Sequence, residues 1–119
     1  MSYGDIKQSV ERASALLKAM SNPRRLLILC YLSEGERSVG ELCELIGLSQ
    51  SALSQHLAKL RHDQLVATRR SAQTVYYSLE TGEVESILHT LHELYCAEDR
   101  DTPARRTHAN VTPPRRAGP

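Results

Sequence analysis

The sequence predicts a mainly α-helical domain carrying one β-hairpin, in the order α-α-α-α-β-β-α. Two observations lead there. Apolar residues recur at helical spacing in five separate stretches. Between the fourth and the fifth lie two short extended runs, "LVATRR" and "TVYYSL", joined by Ser71-Ala72-Gln73.

The elements follow in order. Over residues 5–20, Ile6, Val10, Ala13, Leu17 and Met20 form one apolar stripe, which makes an amphipathic first helix. Asn22-Pro23 reads as an N-cap followed by proline at the first helical position. The second helix, through Leu26–Leu32, is apolar nearly all round, so burial at the domain centre is expected, with Cys30 among the core residues. Ser38-Val39-Gly40-Glu41 fits a capping box, in which hydroxyl and carboxylate each satisfy a backbone amide of the other. The short third helix turns Val39, Leu42 and Ile46 inward and ends at Gly47, which tolerates the left-handed conformation that closes a helix. Ser49 caps the fourth helix, with Leu48 and Leu53 placed as a hydrophobic staple. That helix buries Ala52, Leu53, Leu57 and Leu60 and leaves Gln50, Ser51, Ser54, Gln55, His56 and Lys59 opposite. The hairpin comes next. From Thr81 to about Cys96, Val84, Ile87, Leu88, Leu91 and Leu94 restore the helical period.

Composition sets the class. At 119 residues, with 40% hydrophobic and 24% charged residues, the chain suits one globular domain. Residues 1–97 are expected to form it, and 98–119, rich in proline and arginine, to be a disordered tail. No stretch approaches the ~20 apolar residues of a membrane span. The opening "MSYGDIKQS" lacks a basic region followed by an apolar one, which argues against secretion. Three cysteines point to a reducing, cytoplasmic setting rather than a disulfide framework. No nucleophile with a base and an orienting partner stands out, so an enzyme is not expected.

The net charge of +1 hides an asymmetry: residues 49–73 carry Lys59, Arg61, Arg69 and Arg70 against Asp63 alone. A short capped helix, a turn at Gly47-Leu48 and a longer helix make a helix-turn-helix, and the hairpin makes it winged. Small hydroxyl and amide side chains near a recognition helix's N-terminus suit phosphates and base edges. Ser49, Gln50, Ser51, Ser54 and Gln55 supply them, and His56 is either a further contact or a solvated side chain. Arg69 and Arg70 in the wing are candidates for phosphate or minor-groove contacts. The partner expected is double-stranded DNA.

"VGELCELIGLSQSALSQHLAKLR", followed by "LVATRRSAQTVYYSL" and preceded by "ALLKAMSNPRRLLILC", resembles the ArsR/SmtB family of winged-helix repressors over about residues 8–96. The resemblance implies a homodimer paired through its first and last helices, released from operator DNA by an inducer. The apolar stripes on both terminal helices agree with that. Such a dimer predicts a near-palindromic operator with half-sites about 10–10.5 bp apart.

Inducers differ within the family. Its arsenic, cadmium and lead sensors use Cys-x-Cys near the third helix, whereas "ELCELIG" offers only Cys43, which suits a partly buried filler. Its zinc and nickel sensors use the last helix. His89 and His92 supply half of such a site, but Glu83-Val84-Glu85 stands where Asp-x-His is required, so no metal or other cofactor is assigned. Cys30 in "LLILCYL" and Cys96 in "HELYCAE" resemble the cysteine contexts of the family's sulfide- and persulfide-responsive branch. That resemblance implies a dithiol sensor in which persulfides join Cys30 to Cys96 through a disulfide or polysulfide bridge. Axes of packed helices lie ~8–10 Å apart, while a disulfide wants Cα atoms ~4.4–6.8 Å apart. Inserted sulfur atoms would relieve such a mismatch. General oxidants, or zinc through His89 and His92, are the alternative signals.

Overall fold

A computed structural model describes residues 3–96. The expected tail, 98–119, lies outside the described residues. The elements are α1 (Tyr3–Met20), α2 (Pro23–Ser33), β1 (Arg37–Ser38), α3 (Val39–Ile46), α4 (Gln50–His62), β2 (Val66–Ser71), β3 (Thr74–Leu79) and α5 (Gly82–Leu91). A π-helical stretch, His92–Cys96, follows α5. The chain divides into two units, Met1–Val84 and Glu85–Pro119. No helix among the described residues is long and apolar enough to cross a membrane.

The local signals act as the side-chain chemistry dictates. Asn22 Oδ1 accepts from the amides of Arg24 (2.9 Å) and Arg25 (3.0 Å), with Pro23 opening α2. Ser38 Oγ accepts from the Glu41 amide at 3.1 Å, and Glu41 Oε1 accepts from the Ser38 amide at 2.8 Å, completing the capping box. Gly47 ends α3 at φ +81°, a left-handed conformation that glycine adopts without strain. α4 closes differently. The Leu65 amide reaches the Leu60 carbonyl (2.9 Å) and the Gln64 amide reaches the Arg61 carbonyl (3.0 Å). This is a Schellman closure, with Gln64 at φ +65° where glycine is usual.

In the first unit α2, α3 and α4 pack on one another, and the sheet packs on all three. Ile28, Leu29, Leu42, Leu53, Leu57, Leu60 and Val66 are essentially sealed from solvent at their meeting point. Each contributes about 1.5–3 kcal/mol by leaving water.

Three expectations are corrected. The sheet has three strands, in the order β1-β3-β2, because Arg37 and Ser38 pair antiparallel with Tyr77 and Tyr76. A two-residue strand is too short to show a period of two. The hairpin turn is Ala72-Gln73, since Ser71 already pairs with Thr74, and Ala72 sits at φ +57°. α2 is not buried all round: Ile28, Leu29 and Leu32 face the core, while Leu27 and Cys30 are exposed. Residues 27 and 30 are three apart and share the face turned away from α3 and α4. In α1, by contrast, the stripe stands open as a helix held for pairing would leave it: Ala19 and Met20 are buried, while Ile6, Val10, Ala13 and Leu17 are exposed.

Candidate nucleic-acid interface

The turn between α3 and α4 is set by Gly47 and by Ser49, whose Oγ accepts from the Ala52 amide at 3.2 Å. Ser49 Oγ also lies 3.4 Å from Ser51 Oγ. Ser49 therefore orients the helix start as well as standing on it. Leu53, Leu57 and Leu60 anchor α4 in the core, so their helical period turns Gln50, Ser51, Ser54 and Gln55 outward together. All four are exposed, and α4 contains no acidic residue. The exposed amide and hydroxyl groups can donate to phosphates and accept from or donate to base edges. His56 is half-buried at the margin of this face rather than on it.

Asp63, the acid nearest the helix, is occupied. Lys59 Nζ stands 3.3 Å from one carboxylate oxygen and His62 Nδ1 3.3 Å from the other. Partial burial would raise the Asp63 pKa, but the bonds and charges of His62 and Lys59 outweigh it and hold the carboxyl below its ordinary value.

The two wing arginines behave differently from one another. Arg69 Nε donates to Glu36 Oε2 at 2.9 Å and Nη2 to Glu36 Oε1 at 2.7 Å, a bidentate pair. Its guanidinium also lies 4.7 Å from the ring centre of Tyr76, its cross-strand partner. The Arg69 hydrogen bond holds Glu36 below the usual carboxylate range, against a small desolvation effect, and the same bond raises the Arg69 pKa. Arg69 therefore ties β2 to the segment before β1, which is a structural task. Arg70 is exposed and forms no ion pair among the described residues. Alternation puts it on the same sheet face as Thr68, whose partner is Tyr77. Tyr77 lines a groove with Ser54, Ala58, Arg61 and His62 of α4, so the Arg70 face is the one that meets the recognition helix.

The sensing candidates are placed as follows. Cys30 is exposed on α2 and Cys43 is half-buried on α3. Cys96 closes the π-helical stretch of the second unit. His89, in the last turn of α5, and His92, at the start of the π-helical stretch, are both exposed. Among the described residues no three His, Cys, Asp or Glu side chains gather as a cation site.

Residues 22–68, from the cap of α2 into β2, match the model for bacterial regulatory proteins of the arsR family. The transcriptional activator HlyU of Vibrio cholerae is 54% identical over 96 residues, covering 81% of this chain and 89% of that one. The chain belongs to the ArsR family. A biofilm growth-associated repressor of Xylella fastidiosa is 37% identical over 100 residues, covering 84% of this chain and 88% of its own. The structure of reduced HlyU from Vibrio cholerae N16961 superposes with a TM-score of 0.75 at 55% identity, over 77% of this chain and 97% of that chain. ArsR-family proteins are transcriptional regulators and not enzymes, in line with the expectation from the sequence.

The capped helices and the turn located the helix-turn-helix, and the charge pattern included Arg61, but sequence reasoning assigned no role to Glu36 or Tyr77. Glu36 carries no motif signal, since its partner is 33 residues away. Arg61 and Tyr77 are brought to one groove only when the sheet folds against α4.

Proposed function

We propose that the chain is a homodimeric repressor that binds near-palindromic operator DNA through α4 and the wing, and that persulfides release it. The observation that carries the DNA reading is the exposed, acid-free face of Gln50, Ser51, Ser54 and Gln55 at the start of α4. Arg70 supports it from the wing, with Arg69 holding the wing in place. The apolar stripe of α1, exposed at Ile6, Val10 and Leu17, supports pairing with a second copy.

Cys30 and Cys96 are the sensing pair of this proposal. The exposure of Cys30 supports it, because an outward thiol meets a dissolved persulfide while a core thiol does not. That a relative's structure is described as reduced fits a regulator with a redox cycle. The chemistry balances without a further oxidant. The Cys30 thiolate attacks the outer sulfur of a persulfide RSSH, giving Cys30–SSH and releasing RSH. Attack by the Cys96 thiolate on the Cys30 sulfur then expels hydrosulfide and leaves a disulfide. If Cys96 is first persulfidated in the same way, the expulsion of hydrosulfide leaves a trisulfide. A reducing cytoplasm would return both to thiols.

The test follows intact mass and operator affinity of reduced protein exposed to a persulfide donor. Loss of DNA binding is expected together with a bridged product, lighter than reduced protein by two hydrogens for a disulfide or heavier by one sulfur less two hydrogens for a trisulfide. Cys30→Ser should abolish the bridge and the loss of binding. Full modification with unchanged DNA affinity would refute the sensing proposal and leave the DNA reading standing.

A further inference from the structure

We infer that the groove between α4 and the sheet seats the sugar-phosphate backbone of duplex DNA, with Arg61 as its cation. The inference rests on the DNA-binding reading and extends it to a site outside the start of the recognition helix. Ser54, Ala58, Arg61, His62 and Tyr77 line a groove of about 440 Å³. Ser54 belongs both to this groove and to the outward face of α4, so the two surfaces are continuous.

The chemistry suits a phosphodiester. Arg61 is exposed and forms no ion pair among the described residues. Its neighbour Asp63 is already bound by Lys59 and His62, which leaves the Arg61 charge uncompensated within the segment. The hydroxyls of Ser54 and Tyr77 take part in no hydrogen bond among the described residues, so both can donate to a phosphate oxygen. Ala58 carries only a methyl group and lets a backbone oxygen approach the helix. Arg70, on the sheet face that Tyr77 shares, is a second exposed cation on that side of the sheet. A guanidinium with flanking hydroxyls is the donor set that fixes register on a duplex without reading its sequence.

The measurement is the affinity of full-length wild type, Arg61→Gln and Arg61→Lys for two labelled probes over a salt series. One probe is a duplex from the protein's own promoter region and the other is calf-thymus DNA. Arg61→Gln should weaken binding to both probes by a similar factor. It should also reduce the slope of log affinity against log salt by about 0.9 for each protomer engaged. Arg61→Lys should restore the slope, because a charge at this position is what counts. Thermal melting identifies any variant that fails to fold, and Tyr77→Phe, which keeps the ring, should weaken both probes without altering the slope. An unchanged slope and affinity in folded Arg61→Gln overturns the groove alone. Wild type that binds neither probe overturns the DNA reading together with the groove.

Discussion

Arg69 holds Glu36 with two donors, Nε at 2.9 Å and Nη2 at 2.7 Å, across 33 residues of chain. The pair joins the hairpin to the segment that enters the helix-turn-helix, so the wing's pose depends on a carboxylate that no motif points to. Glu36 should accordingly titrate below its ordinary value of 4.5. Because its folded pKa is depressed, the pair's contribution is present above the unfolded pKa and is lost as pH falls through the folded one. Carboxyl carbon shifts followed by NMR should give a low midpoint in wild type and a midpoint near 4.5 in Arg69→Gln. Equal midpoints in the two proteins would show that the bridge does not form in solution.

Gln64 closes α4 at φ +65°, where a side chain is disfavoured. A left-handed residue other than glycine costs roughly 1–2 kcal/mol, and glycine's extra freedom in the unfolded chain offsets part of that. Gln64→Gly should therefore stabilise the protein by up to about 1 kcal/mol in urea unfolding. A destabilised variant would mean that the Gln64 side chain makes a contact that outweighs the strain.

The α1 stripe, exposed by 46% at Ile6, 60% at Val10 and 56% at Leu17, is apolar surface that a second copy would cover. Val10→Asp places a charge in that stripe and should shift the protein from dimer to monomer in sedimentation equilibrium. Far-UV circular dichroism should change little, because Val10 is not part of the monomer core. A variant that stays dimeric would move the interface elsewhere.

Exposure ranks the first two thiols. Cys30 should be alkylated by iodoacetamide in native protein before Cys43, as read by peptide mass spectrometry over time. Equal rates only after denaturation would agree with the fold. Faster reaction at Cys43 would contradict it.

Most of the architecture is legible in local chemistry. Asn22-Pro23, the Ser38/Glu41 capping box, Gly47 and Ser49 each act within four residues, so their geometry follows from side-chain type and spacing alone. The outward face of α4 is equally local, because Leu53, Leu57 and Leu60 determine by period which side remains wet. β1 escaped detection because two residues carry no alternation, and only pairing with β3 makes them a strand.

What the sequence determined by itself is therefore the capped ends of α2, α3 and α4, the presence of the hairpin and the residues offered by the recognition helix, all governed by backbone hydrogen bonds and short-range periodicity. The last helix, expected to about Cys96, is α-helical only to Leu91. Tertiary structure decided which face of α2 is inside, and so turned Cys30 from an expected core thiol into an exposed one. It also separated two adjacent arginines, engaging Arg69 with Glu36 while leaving Arg70 on the α4 side of the sheet. The reason is physical: composition makes a helix apolar or a strand basic, but which neighbour covers which side is settled only by packing between segments distant in the chain.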